Sequence, residues 1–434
     1  MAPNIPLLTC IFIIFIIILI SYAKKGADFV AISLFGCFLA ATITAYFSAT
    51  EFPEFVDTIE FEAIIVILCM SIITKIAQES NILEYLAVKL FKISKGNPRV
   101  FLYFICTITT LLAAIISDVV VVLILAPVVI RICRFLRIRA GTYLLGMTIC
   151  INIGSIITPF SSGENIIIST AFGLDTIYFV QYYWIFSFIL LFLTIFLIDK
   201  LLLRKEPNIE EKQKKFVLEL IDANVMIKNK KMFYFNSIAI IITIISFAII
   251  PWLYLTAAFS ALILVLVNKN YMNKTMSEML RDVEWEIIFF FISLYIVIGC
   301  MLIAGFQDLF KEIPFQSFDP LLLSIIILIV VSLVSGFVAN TPTALVFIPI
   351  IELLIEEYNF APIPLMFAFI IGINLGGNLI PQGAACDVMT LKIAQNNGVE
   401  NLNFKRLLKT GASFAIIHIL LSIAWLLLIS FLYG

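Results

Sequence analysis

Long apolar runs separated by short polar segments dominate the chain. A helix of about 20 apolar residues crosses roughly 30 Å of hydrocarbon, so the pattern predicts an all-α, polytopic membrane protein with about 10 spans. The segment 81–99 interleaves apolar residues with lysines, which predicts an amphipathic helix lying in the membrane interface. Continuous spans are predicted at 6–23, 29–48, 61–78, 178–203, 233–250, 252–268, 286–305 and 410–433.

Two polar interruptions inside apolar sequence recur in the second half of the chain. Ile151–Asn165 (INIGSIITPFSSGEN) aligns without a gap with Ile373–Asp387 (INLGGNLIPQGAACD), 222 residues later. At the same offset, Ser117-Asp118-Val119 aligns with Ala339-Asn340-Thr341. Paired interruptions of this kind indicate where a transporter unwinds its helices to hold a solute.

Each half is therefore predicted to contain one re-entrant hairpin and one broken span. The hairpins are placed at 99–139 and 320–355, and the broken spans at 142–172 and 362–392. Two ordinary spans joined by a turn remain an alternative to the first hairpin, and they would place Asp118 on the opposite surface of the membrane.

The charges predict an orientation. Basic clusters flank the first hairpin, whereas Asp319 and Glu356-Glu357 flank the second. With the N-terminus outside and each hairpin returning to its own side, every Lys and Arg except Lys311 falls on the cytoplasmic side, as the positive-inside rule requires. The segment 204–232 is then a cytoplasmic linker, and the two repeats have inverted topology.

Composition excludes several other classes of protein. Of 434 residues, 62% are hydrophobic and 13% charged, and the net charge of -1 gives no indication of nucleic-acid binding. One histidine and no paired cysteine spacing leave no zinc signature and no nucleophile–base pattern, so an enzyme is not expected. The eight cysteines are interpreted as free thiols packed in apolar sequence, and His418 as hydrogen-bonded within the helix bundle. The first apolar run is interpreted as a retained span rather than a signal peptide.

The paired motifs resemble those of the ion transporter superfamily, which includes divalent-anion/sodium symporters, arsenite permeases, NhaD-type sodium/proton antiporters and the melanosomal P protein. Ala339-Asn340-Thr341 resembles the Ser-Asn-Thr hairpin tip of the symporters. Asn152-Ile153-Gly154 and Asn374-Leu375-Gly376, each followed by a proline, resemble the two broken-helix loops. Asp118 departs from the motif because the symporters have Asn at that position.

The resemblance implies an elevator-type transporter, usually a homodimer, in which the hairpins and broken helices carry the solute past a scaffold. The implied division is scaffold 1–98, transport half 99–203, cytoplasmic linker 204–232, scaffold 233–318 and transport half 319–434.

The candidate site combines the two hairpin tips with the two unwound loops. A carboxylate at membrane depth is unfavourable by at least about 2.5–3.5 kcal/mol, so Asp118, Glu164 and Asp387 should each have a partner or a function. Alternatively, Glu164 faces water outside the membrane, and Asp387 caps a half-helix. Possible sodium ligands are Asp118, Asn152, Asn340 and Asn374. The full candidate set is Ser117, Asp118, Asn152, Gly154, Thr158, Ser162, Glu164, Asn165, Asn340, Thr341, Thr343, Asn374, Gly376, Asn378 and Asp387.

These observations predict an ion-coupled secondary active transporter of the cell membrane. Buried carboxylates can exchange a proton for a cation, and no Lys or Arg lies near the breaks apart from Lys392 at the cytoplasmic end of its span. A cation, a proton-coupled solute or a neutral solute is therefore favoured. Sodium/proton antiport and arsenite-type efflux are the leading hypotheses, and a sodium-coupled di- or tricarboxylate symporter is the alternative. No cofactor is expected beyond the coupling ion, Na⁺ or H⁺. The expected partners are the solute, the lipid bilayer and a second copy of the chain, with no nucleic acid.

Overall fold

The computed structural model describes residues 3–24, 26–205, 223–250, 252–272, 276–281 and 283–433, so most of the predicted linker 204–232 lies outside the described residues. All regular structure within these ranges is helical. The α-helices are α1 (Ile5–Ala23), α2 (Phe29–Ser48), α3 (Phe52–Asp57), α4 (Phe61–Glu79), α5 (Ile82–Ile93), α6 (Pro98–Ala113), α7 (Asp118–Phe135), α8 (Gly141–Gly154), α9 (Gly163–Phe172), α10 (Thr176–Tyr182), α11 (Trp184–Leu201), α12 (Lys230–Ile249), α13 (Leu253–Met272), α14 (Met276–Arg281), α15 (Trp285–Ile303), α16 (Phe306–Lys311), α17 (Pro320–Val338), α18 (Asn340–Glu356), α19 (Pro362–Gly376), α20 (Ala385–Asn396) and α21 (Phe404–Tyr433).

The helices have the lengths that a membrane protein requires. Eight of those in the described ranges are long and apolar enough to cross a bilayer, and α6, α8, α19 and most of α13 are shorter apolar helices. Large side chains such as Phe35, Ile241 and Phe431 are exposed on their outer faces, as expected for surfaces that contact lipid. The prediction of an all-α polytopic membrane protein is confirmed.

The two hairpins begin with the same local signal. Asn97 accepts hydrogen bonds from the backbone N–H groups of Arg99 and Val100, and Pro98 follows it as the first helical residue. Asp319 likewise accepts from Leu322 N, and Pro320 follows it. A side-chain cap followed by proline satisfies the free N–H groups of a helix start, so both hairpins start where the sequence specifies it.

The packing of the helices follows a two-fold pattern. In the first repeat α6 packs along α8, and in the second α17 packs along α19. The second arm of each hairpin crosses to the other repeat, so that α7 contacts α20 and α18 contacts α9. Similarly, α2 packs on α15 and α13 packs on α4. Helices of each half of the chain therefore pack against helices of the other half. The division into scaffold and transport domains stays a prediction.

Both broken helices unwind where the polar interruptions lie. The first is helical to Gly154 and resumes at Gly163, and the second is helical to Gly376 and resumes at Ala385. A Cβ on Gly154 would collide with the backbone carbonyl of Thr110, and one on Gly376 would collide with that of Ser332. These two glycines let the first arm of each hairpin pack directly against the backbone of the broken helix.

Smaller features differ from the sequence expectation. The span predicted as continuous over 178–203 is interrupted at Tyr183, where φ is -116° and ψ is -28°. The prediction of a continuous span was wrong here, and the segment contains no proline or glycine that would indicate the interruption. Directly after it, the indole N–H of Trp184 donates to the carbonyl of Ile157 in the first unwound loop at 2.8 Å. The short helices α3, α14 and α16 lie between the predicted spans.

Candidate functional site

Glu164 lies in the first turn of α9, directly after the first unwound loop. Its Oε1 accepts a hydrogen bond from Asn340 Nδ2 at 3.0 Å, and its Oε2 accepts one from Thr341 Oγ1 at 3.5 Å. Only 6% of the residue is exposed, so the alternative in which Glu164 faces water does not hold. The hairpin tip of the second repeat thus supplies the donors for a carboxylate of the first.

Asn340 is held in one orientation by its own hairpin. The hydroxyl of Ser335 lies 2.7 Å from Asn340 Oδ1, which leaves the amide nitrogen to face Glu164. Thr343, which was predicted to join this site, instead donates to the carbonyl of Ala339 at 2.7 Å within the hairpin. The tip therefore contributes Asn340 and Thr341 to the contact with Glu164.

The connection at this tip consists of Ala339, which has φ 96° and ψ 156°. That region of backbone conformation is essentially restricted to glycine, and a residue held there is strained by about 1–3 kcal/mol. The tip is thus a short, strained turn placed beside the groups that bind Glu164.

The two unwound loops are joined through Asn165 and Asn374. Asn374 Nδ2 donates to Asn165 Oδ1 at 2.9 Å. Asn165 Nδ2 in turn lies 3.1 Å from the carbonyl of Thr158 and also contacts Ser155 O, and Ser162 caps the start of α9. Asn374 Oδ1 is buried and has no hydrogen-bond partner among the described residues. Such an oxygen is a candidate ligand for a cation.

Asp387 forms a second polar centre in the first turn of α20. Its Oδ1 accepts from Thr148 Oγ1 at 2.5 Å, and Thr390 Oγ1 lies 3.3 Å from Thr148 Oγ1. The residue is 1% exposed, and the cap position of the helix is Ala384. The alternative in which Asp387 caps the half-helix is therefore wrong.

Next to Asp387, Asn152 joins the two repeats again. Its Nδ2 donates to Asn378 Oδ1 at 2.8 Å, and the thiol of Cys386 lies 3.1 Å from its Oδ1. The nitrogen of Asn378 is buried and has no partner in the described ranges.

Asp118 stands at the tip of the first hairpin, where it is half-buried. Its Oδ1 accepts from the backbone N–H of Val119 at 2.7 Å. Asn152, Thr158 and Ser162 of the broken helix bond elsewhere: the first donates to Asn378, the second donates to the carbonyl of Ala114, and the third accepts from Asn165 N. A bound cation or a proton stays the predicted partner of the Asp118 charge.

The three carboxylates occupy comparable positions in the fold. Asp118, Glu164 and Asp387 each lie in the first turn of a helix that follows a hairpin tip or an unwound loop. None of the three forms an ion pair with a Lys or Arg of the described ranges. In the same part of the chain, no three His, Cys, Asp or Glu residues converge as a metal-binding group. The arrangement is an acidic site without a fixed counter-charge.

The remaining predicted residues shape the backbone. Ser117 occupies the cap position of α7 without a side-chain hydrogen bond to the helix. Gly154 and Gly376 permit the close approaches described above. Sequence reasoning missed Thr148 and Ser335, which contact the predicted residues directly. Thr148 lies one helical turn before Asn152, so the helical period offered a signal for it.

Outside the site, His418 is buried and shares a hydrogen bond of 2.7 Å with Thr194 Oγ1. The interpretation of this histidine as a group bonded within the bundle is confirmed.

Paired hairpins and paired unwound helices that enclose buried polar groups in a multi-pass membrane fold define a transporter, not an enzyme. The chain matches the family model described as "Citrate transporter" (CitMHS) over residues 11–372, and it belongs to that family. The resemblance to the ion transporter superfamily is thereby confirmed.

Several curated proteins are similar along nearly the whole chain. The 46 kDa membrane protein of Mycobacterium leprae is 25% identical, covering 94% of this chain and 96% of its own. An uncharacterized transporter of Synechocystis is 22% identical over 98% and 99% of the two chains. The P protein of the pig is 24% identical over 86% of this chain and 54% of its own length. The YdaH transporter of Alcanivorax borkumensis has a similar fold, with a TM-score of 0.61 at 11% identity over 86% of each chain.

Proposed function

We propose that this transporter is ion-coupled and secondary active, and that it uses sodium or protons to exchange or expel a small inorganic ion or solute. The observation that carries the proposal is the set of three carboxylates, Asp118, Glu164 and Asp387, each in the first turn of a helix at a hairpin tip or an unwound loop and none ion-paired with a Lys or Arg of the described ranges. A site of this kind attracts cations and repels a free anion. Carboxylate, amide and carbonyl oxygens are the hard ligands that sodium accepts, and the carboxylates also accept protons.

Coupling follows because the cation and the proton would bind to the same carboxylates. Charge at membrane depth is unfavourable by at least about 2.5–3.5 kcal/mol unless it is compensated, so the site should cross the membrane with a bound cation or proton. The candidate sodium ligands are Asp118, Asn152, Asn340 and Asn374. The unpaired oxygen of Asn374 supports its place in this set.

A second candidate is a sodium-coupled di- or tricarboxylate symporter. The description of the matching family model favours it. A carboxylate solute would enter a site that already holds three carboxylates, so it would depend on bound sodium and on the positive ends of the half-helices. Solute transport should then require sodium at every pH.

The movement that we propose is of the elevator type, in a homodimer of the cell membrane. Hairpins 99–139 and 320–355 and the broken helices would travel against the remaining spans. The N-terminus and Lys311 would lie outside and the linker 204–232 in the cytoplasm, as the distribution of Lys and Arg indicates.

Counterflow in proteoliposomes tests the proposed function. Proteoliposomes that contain the purified protein are loaded in turn with sodium, citrate, succinate, phosphate or arsenite, with and without a pH gradient. Sodium exchange or arsenite movement without citrate transport supports the leading proposal, and sodium-dependent citrate or succinate uptake supports the second candidate. Protein that moves none of the five would overturn both.

The variant Glu164→Gln tests the role of the acidic site in the same assay. It removes the charge while keeping the shape, and transport should fall by at least tenfold. Glu62→Gln is the matched control because Glu62 is exposed at the start of α4. Equal activity in the two variants would contradict a role for Glu164.

A further inference from the structure

Ser335 is fully buried in α17, one turn before the second hairpin tip, and its hydroxyl has two acceptors within reach. One is Asn340 Oδ1 at 2.7 Å and the other is the carbonyl of Ile373 at 2.8 Å. A hydroxyl carries one proton, so it donates fully to one of them. The carbonyl of Ile373 also receives the N–H of Gly377, whereas Ser335 is the donor to Asn340 Oδ1 within the described ranges. Asn340 Oδ1 therefore depends on the Ser335 hydroxyl as its donor more than the carbonyl of Ile373 does.

The orientation of the Asn340 amide matters because Glu164 faces it. An amide presents either two N–H donors or a carbonyl acceptor to a neighbour, and a carboxylate tolerates only the donors. With Ser335 donating to Oδ1, the nitrogen faces Glu164 Oε1 at 3.0 Å. If the amide rotated by half a turn, its oxygen would face the carboxylate and both groups would lose a hydrogen bond.

A comparison of the two repeats supports this reading. At the repeat offset, Ala113 stands where the second hairpin has Ser335, and Asp118 stands where it has Asn340. A carboxylate has two equivalent oxygens and therefore has no orientation to fix. The hydroxyl occurs in the repeat whose tip residue is an amide, and it is replaced by a methyl group where the tip residue is an acid.

We propose that Ser335 is a positioning residue that sets the amide of Asn340 so that it donates to Glu164 in the solute site. The inference rests on the proposed function, in which Glu164 takes part in binding. Ser335 itself need not touch the solute. Its loss should weaken binding and leave the rate at saturation nearly unchanged.

The experiment measures uptake kinetics in proteoliposomes for whichever of sodium, citrate, succinate, phosphate or arsenite the wild type transports. Ser335→Ala should raise KM about tenfold because the amide of Asn340 would no longer be held as a donor to the charged Glu164, and a hydrogen bond to a charged group corresponds to about this factor. The maximal rate should stay within about twofold of wild type. Ser335→Thr keeps the hydroxyl and should restore most of the affinity. Ser332→Ala is the control, since Ser332 is equally buried on the same helix and bonds only to Leu328 O.

A double variant separates positioning from general damage. In Glu164→Gln, residue 164 carries an amide that either donates or accepts, so both orientations of Asn340 are satisfied. Adding Ser335→Ala to Glu164→Gln should therefore change KM by less than twofold. The positioning role is wrong if Ser335→Ala matches Ser332→Ala, or if its effect is the same in both backgrounds. If Glu164→Gln itself transports like the wild type, it is the proposed function that fails.

Discussion

Thr148→Val is expected to impair transport by removing the donor of Asp387. The hydroxyl of Thr148 lies 2.5 Å from Asp387 Oδ1, and both residues are almost completely buried. The other contact of that oxygen, with the Cys386 thiol, is 3.9 Å long and correspondingly weak. A hydrogen bond to a charged group contributes roughly 1.5–3 kcal/mol, and 1.4 kcal/mol corresponds to a factor of ten. Uptake at a fixed solute concentration should therefore fall about 10- to 100-fold.

Thr390→Val provides the matched comparison. Thr390 is equally buried and its hydroxyl lies 3.3 Å from Thr148 Oγ1, so its loss removes a bond between neutral groups. Such a bond contributes about 0.5–1.5 kcal/mol, which corresponds to a decrease of roughly 2- to 10-fold. Initial rates are measured in proteoliposomes that contain equal amounts of protein with the same gel-filtration profile. Similar losses in the two variants would refute the view that Thr148 acts through the charge of Asp387.

Three further predictions concern other parts of the molecule. Asp118→Asn should fold normally but lose ion coupling, seen as solute flux that no longer responds to sodium or pH; coupled flux at the wild-type level would rule out this role. In a cysteine-free background, Arg137→Cys should be labelled from inside and Glu357→Cys from outside by an impermeant maleimide, and labelling of both from one side would disprove the inverted topology. Gly154→Ala should destabilise the protein by about 1–3 kcal/mol because its Cβ would collide with the backbone of Thr110. Gly146→Ala is the control, since its Cβ would meet only side-chain atoms of Cys106, Leu102 and Ile198. Equal melting temperatures of the two variants would contradict the expected collision.

The sequence predicted the elements whose signals are local. Gly154 and Gly376 end their helices because polar residues and glycines interrupt otherwise apolar runs, and this pattern is visible without a structure. The starts of the hairpins at Asn97 and Asp319 were equally accessible, since an Asn or Asp followed by proline is a strong cap.

Contacts between the repeats were not accessible in the same way. The sequence placed Glu164 and Asn340 in one candidate site, but only the packing of α18 on α9 makes them partners. The helix interruption at Tyr183 was not predicted because the segment contains no proline or glycine, and the adjacent contact of Trp184 with Ile157 is a tertiary one. The hydrogen bond that Asp118 accepts from the backbone N–H of Val119 could not be predicted from a pattern of side chains.

The bond between Glu164 and Asn340 has a consequence for biogenesis. The two residues are separated by 176 positions, so Glu164 leaves the ribosome and enters the membrane long before its donor is synthesised. Until α17 and α18 are inserted, the nascent chain holds a carboxylate whose final partners do not exist, and the membrane penalises an unpaired charge. Glu164 therefore acquires its final hydrogen bonds only after the second hairpin has been inserted. A ribosome stalled before residue 340 should leave a first half that quality-control proteases recognise as unassembled.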